Sequence, residues 1–164
     1  MQLKEIMVGD EASKYRSLLE LSYPTEEGIV KNWEDMEILM KYSFDKIGVN
    51  NPKGQSVFIT EAIMNPVVNK VGMMEIMFEK FQVDRIQYGY QALMSLFAEG
   101  MDTALLMDSG DGVTHCIPVF QGNLIKARFE RLDIAGRHIT NHLSKLLHMR
   151  GYAFNSTSDF ETVR

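Results

Sequence analysis

The densest chemistry in the chain is the run Asp108-Ser109-Gly110-Asp111-Gly112-Val113-Thr114-His115, set between apolar segments at 103–107 and 116–120. Two glycines within three positions admit positive φ and let backbone N–H groups approach an anion. The carboxylates beside them can hold a hydrated Mg²⁺. Residue types and spacing therefore suit a polyphosphate shared between backbone and cation. An acidic β-hairpin turn accounts for Asp-Gly just as well. An EF-hand calcium loop does not, because the third ligand position counted from Asp108 is Gly110. His138 and His142 stand four apart, a spacing that metal sites use, but no third ligand follows at a sensible distance, so they read as surface residues.

The elements that must position this run follow from hydrophobic periodicity. A strand is expected over 3–8, a helical turn over 11–16 and a strand over 17–23 closed by Pro24, with a loop over 24–28. Asn32 is an N-cap for a helix to Lys46, with Glu34 and Asp35 in its first turn and Trp33 anchoring its start. Met36, Leu39, Met40 and Phe44 form its buried stripe. A buried strand over 56–60, a loop over 61–66, a helix over 69–81, a strand over 86–90 and a helix over 91–99 stopped by Gly100 complete this half. Alternation of strand and helix argues a mostly parallel α/β sheet with covered faces. From 103 to 134 the pattern changes to antiparallel strands, opened by the Asp-rich hairpin and broken again at Gln121-Gly122-Asn123. A helix over 136–150 ended by Gly151 follows, and 159–164 reads as the first turns of a helix that stops in mid-element.

With 164 residues the chain suits one domain with a real core, and its net charge of −5 with scattered basic residues marks no nucleic-acid face or anionic-membrane face. One cysteine excludes an intrachain disulfide; neither a basic-then-apolar leader nor a run of about 18 apolar residues occurs. The expectation is an intracellular, soluble chain. Twelve methionines are many for this length, and Met36, Met40, Met73, Met74 and Met77, at helical spacing, read as core.

The hairpin in its context resembles actin and the actin-related proteins. The matching stretches, in the family's order, include Val8-Gly9-Asp10-Glu11-Ala12, Tyr23-Pro24, Gly28-Ile29-Val30, Asn32-Trp33, Asp35-Met36, Thr60-Glu61, Asn65-Pro66, Met77-Phe78-Glu79, Gln91-Ala92, Asp108 to His115, Arg131-Leu132-Asp133, Ala135-Gly136-Arg137 and Arg150-Gly151-Tyr152. Each alone is weak and together they are specific. Leu132 to Arg137, Arg150 to Asn155 and Asp159 to Arg164 are more similar to an actin-related branch than to conventional actin. Glu27 stands where conventional actins carry a histidine that is usually methylated.

The resemblance implies an incomplete actin-like (ribonuclease H-like) ATPase fold, α/β with mixed sheets and covering helices. It implies part of subdomain 2 over 1–23, most of subdomain 1 over 24–98, part of subdomain 3 over 99–134 and the start of subdomain 4 over 135–164. Residues 91–100 would be the hinge helix beneath the nucleotide. The family's first phosphate loop would precede this chain and its adenosine loop would follow it.

Asp108 would bind Mg²⁺ through water. Gly110, Asp111, Gly112 and Val113 would cradle the phosphates of ATP or ADP. Gln91 and His115 would position the attacking water, although a histidine here reads equally as a core residue. Gly136 would sit under the sugar or base, and Arg164 would approach the adenine.

Implied partners are another actin-related protein, the other subunits of an actin-nucleating branching complex, and actin filaments, in the cytoplasm and cytoskeleton, with no nucleic acid and no membrane. A complete protein would hydrolyse ATP slowly with Mg²⁺; the chain alone is not expected to. Two alternatives stay open: an actin-like interaction fragment that folds by docking without binding nucleotide alone, and a divergent polymerising actin. Departures from the family at Phe120 to Ala127, His138 and Gly89-Tyr90 bear on filament contacts and hydrolysis more than on nucleotide binding.

Overall fold

A computed structural model describes residues 6–154 and 157–164. The chain opens with helix α1 (Asp10–Ser13) and a 3₁₀ turn at Arg16–Leu18. Strands β1 (Thr25–Glu26) and β2 (Ile29–Val30) pair antiparallel around Glu27 and Gly28, both at positive φ. Helix α2 (Trp33–Lys46) leads to strand β3 (Ser56–Glu61) and helix α3 (Val67–Glu75), which widens into a π-helical turn at Ile76–Lys80. Strand β4 (Arg85–Tyr90) runs straight into helix α4 (Gln91–Ala98). Strands β5 (Ala104–Ser109), β6 (Thr114–Phe120), β7 (Asn123–Leu124) and β8 (Glu130–Leu132) follow, then helices α5 (Gly136–Met149) and α6 (Thr157–Val163).

Two assemblies result. In the first, β3 and β4 pair parallel from Ser56↔Arg85 to Glu61↔Tyr90, with α2 and α3 packed on one face. The Asn32 side chain caps α2, its Oδ1 accepting from the N–H groups of Glu34 at 3.0 Å and Asp35 at 3.1 Å. Met36, Met73, Met77 and Val83 form the buried cluster, with Trp33, Leu39, Met40 and Phe44 packed against it. Gly72 leaves room for the Trp33 indole, since a Cβ there would lie 2.5 Å from the ring. In the second, β6 pairs antiparallel with β5 along its length, with β7 at one end and β8 at the other. Ile117 and Val119 of β6 meet Ile63, Ala92 and Leu96, so α4 seals this sheet against the first assembly.

Several expectations need correction. The strand expected over 3–8 falls largely outside the described residues, and 6–8 form none. Residues 17–23 carry no strand; a 3₁₀ turn and extended chain stand there, and strand pairing begins only after Pro24. The expected loop at 24–28 is the β1–β2 hairpin, because Gly28 and Glu27 supply the positive φ its turn requires. The parallel part has two strands among the described residues, and only Val57 and Ile59 of β3 meet the core, while Phe58 stays exposed on the other face. Met74 turns outward, unlike its four neighbours in the methionine stripe.

Candidate functional site

The β5–β6 register places Asp108 opposite His115, and the β6–β8 register places His115 opposite Arg131. Directly opposed residues share a face. The three therefore form a row across the sheet on the side that carries Ile117 and Val119 into the core. Thr114 pins the neck of the hairpin: its hydroxyl lies 2.8 Å from Ser109 Oγ and donates to the Ile134 carbonyl at 2.7 Å.

At the tip, the Gly110 N–H donates to the Val113 carbonyl at 3.1 Å. Among the described residues the N–H groups of Asp111, Gly112 and Val113 make no backbone hydrogen bond. Successive free amides of this kind form an anion-binding concavity. Neither Gly110 nor Gly112 takes positive φ, contrary to expectation. Gly112 is required for space instead: a Cβ there would lie 3.1 Å from Glu27 Cα in the β1–β2 turn.

The tip faces a cavity of about 410 Å³ between the two assemblies. Gln91, Asp108, Gly110, Asp111, Gly112, Val113 and His115 all line it. Met36, Met40 and Met73 also line it, as do Glu61, Asn65, Asn69 and Lys70.

Gly136 and Arg164 lie outside the lining and reach the tip from behind. The Gly136 N–H donates to the Gly110 carbonyl at 2.9 Å, and Arg164 Nη2 is 3.4 Å from Asp111 Oδ1. Arg137 adds the strongest tether, with Nε 2.9 Å from Asp111 Oδ2 and its N–H on the Asp111 carbonyl at 2.8 Å. The start of α5 thus holds the tip by both main chain and side chains. Sequence reasoning gave Arg137 no role; as an arginine one residue into a helix, it carried no signal beyond its place in the Ala135-Gly136-Arg137 motif.

Electrostatics divide the two carboxylates. Asp111 is spent on Arg137 and Arg164, whereas the Asp108 carboxylate has no hydrogen-bond or ion-pair partner among the described residues. No group of three metal-ligating side chains exists among the described residues, so a divalent cation held at Asp108 would have to draw its remaining oxygens from phosphate and solvent.

His115 is 4% exposed, and neither of its ring nitrogens has a hydrogen-bond partner among the described residues. Burial, and then the charge of Arg131, push its pKa down, against weaker opposite pulls from Asp108 and Asp133. The ring is therefore neutral near pH 7 and offers one donor and one acceptor. His138 Nδ1 accepts from the Ala135 N–H at 3.2 Å and caps α5.

The family model described as Actin matches residues 1–163. Relatives named actin-related protein 2 are 48% identical in Saccharomyces cerevisiae and in Acanthamoeba castellanii, and 47% identical in Drosophila melanogaster. These matches cover 99–100% of this chain and 41–42% of each relative, so the chain spans about two fifths of their length. Its mixed α/β elements are part of an actin-like fold, and the chain belongs to the actin family.

Proposed function

We propose that the chain carries the phosphate-binding hairpin and hinge helix of an ATP-binding, actin-related cytoskeletal protein that acts, like the relatives' name suggests, as an actin-related protein 2 in a filament-branching complex. One observation carries the nucleotide reading: three successive free N–H groups at 111–113 and an unpaired Asp108 carboxylate line the same cavity as Gln91 and His115.

The amides of Asp111, Gly112 and Val113 would hold phosphate oxygens, and Asp108 would hold Mg²⁺ through water. Bound Mg²⁺ neutralises phosphate charge. Gln91, at the start of α4, and neutral His115 offer hydrogen bonds to orient an attacking water; neither needs to be a strong base, because such hydrolysis rests on orientation and charge stabilisation. Subdomain assignments, partners and hydrolysis belong to this proposal, as do nearby Gly136 and Arg164 as sugar and adenine contacts.

In the intact protein, Asp108→Ala lowers Mg-ATP affinity in a fluorescent-nucleotide titration and removes its Mg²⁺ dependence. Unchanged affinity refutes the reading. No helix among the described residues is long and apolar enough to cross a membrane.

A second reading has its own observation. Leu105, Met107, Leu132 and Ile134 beside the sheet, and Ile139, Leu143, Leu146 and Met149 on α5, are exposed. Apolar surface of this extent is covered in a stable protein. The chain by itself would then fold by docking, and a monodisperse monomer of the isolated chain in analytical ultracentrifugation refutes that.

A further inference from the structure

The cavity lining contains a polar network that the hairpin chemistry does not use. Glu61, at the C-terminal end of β3, is a carboxylate 7% exposed. Its Oε1 lies 2.5 Å from Lys70 Nζ, and its Oε2 accepts from Asn65 Nδ2 at 3.0 Å. Asn65 Oδ1 in turn accepts from Asn69 Nδ2 at 2.9 Å. A carboxylate this buried must be matched, and Lys70 is its matching cation. Lys70 also faces two aromatic rings of β4: its ammonium is 6.0 Å from the Tyr88 centroid and 5.8 Å from that of Tyr90. The Tyr88 hydroxyl donates to the Lys70 carbonyl at 3.3 Å.

These contacts converge on one backbone position. Glu61 and Tyr90 are register partners at the ends of the parallel pair, and the residue after Tyr90 is Gln91, the first of α4. Tyr90 precedes α4 without any side-chain cap, so the entry of Gln91 into the cavity is set by strand pairing and by the packing of the Tyr90 ring. Lys70 ties α3 to the ends of both strands at this point. Its hydrogen bond to Glu61, with the negative charge there, outweighs partial burial and holds its pKa above the usual lysine value, so the ammonium persists.

We propose that Lys70 is a positioning residue for Gln91, acting through the Glu61 carboxylate and the Tyr90 ring. The inference rests on the reading of the cavity as a nucleotide site and names a residue through which its geometry is held. Glu61, Asn65, Asn69, Lys70 and Gln91 all line that one cavity, so the network and the group it aims border the same space.

The test uses the intact protein with Lys70→Met and Lys70→Arg. The side-chain amide resonances of Gln91 and ring resonances of Tyr90 shift in Lys70→Met and return toward wild type in Lys70→Arg. Mg-ATP affinity stays within about threefold in both, while single-turnover hydrolysis falls roughly ten- to a hundredfold in Lys70→Met, the size expected for a misplaced group, and recovers in Lys70→Arg. A thermal melt checks that Lys70→Met folds; if it does not, Lys70→Gln takes its place with the same expected pattern.

Unmoved Gln91 and Tyr90 resonances in the folded variant overturn the proposal, as does a Lys70→Arg protein that stays as impaired as Lys70→Met. A wild-type protein that fails to bind Mg-ATP overturns the nucleotide reading instead, and the resonances still decide whether Lys70 positions Gln91.

Discussion

Substituting the two hairpin glycines separately distinguishes packing from ligand approach. A Cβ on Gly112 would sit 3.1 Å from Glu27 Cα and 3.4 Å from Glu27 N, about 0.3 Å inside the 3.4 Å at which ordinary contact begins. Both parties are main chain, so no side chain can swing away, and the hairpin has to lift off the β1–β2 turn. Overpacking of this kind costs about 1–2 kcal/mol. Melting entropy grows with chain length, so in an intact protein about two and a half times as long as this chain the cost lowers Tm by only about 1 °C per kcal/mol.

A Cβ on Gly110 meets only the Val113 carbonyl oxygen, at 3.9 Å, and its φ is not in the left-handed region. Gly110→Ala therefore changes stability without nucleotide by less than about 0.5 kcal/mol. Gly110 nevertheless lines the cavity, so an added methyl intrudes where phosphate would approach the backbone. We expect Mg-ATP affinity to fall at least roughly tenfold, or about 1.4 kcal/mol. Differential scanning fluorimetry without nucleotide and a fluorescent-nucleotide titration, both on the intact protein, read the two effects. Wild-type affinity in Gly110→Ala refutes close phosphate approach at that residue, and an unchanged Tm in Gly112→Ala refutes the tight hairpin-to-turn contact.

Two other expectations concern stability. Asn32→Ala removes a cap that serves two N–H groups and costs about 1 kcal/mol in a urea melt; no change in midpoint means that the cap is dispensable. His115 has its pKa depressed by burial, so its contribution is full above about pH 6.5 and is lost as pH falls from there through the folded-state pKa. His115→Gln should flatten the acid limb of a stability-versus-pH curve, and an equally steep limb in the variant refutes the assignment.

Elements with their own local signals were legible in the sequence. Asn32 before a 3.6-period stripe defined α2, Gly100 at positive φ ended the segment of α4, and the two apolar runs flanking the Asp-rich tip gave β5 and β6. The segment over 17–23 misled because its leucines suit a strand pattern, whereas Leu18 is exposed and the chain there is a 3₁₀ turn followed by unpaired extended residues. The role of Gly112 was hidden for a different reason: its need for space comes from Glu27, 85 positions away in sequence, and no local pattern reports such an approach. The Glu61–Lys70 pair was likewise invisible, since only the parallel register of β3 and β4 brings its surroundings together.

The methionines that share the cavity lining with the hairpin have a mechanical consequence. Met36, Met40 and Met73 are unbranched thioethers with flexible side chains, whereas the tip is short backbone tethered by Gly136, Arg137 and Arg164. Stiff backbone and flexible side chains thus line one space. An occupant reaching the tip would meet fixed backbone, and one reaching Met36 or Met73 would press on side chains packed directly against Val57, Ile59 and Ile86 of the parallel pair.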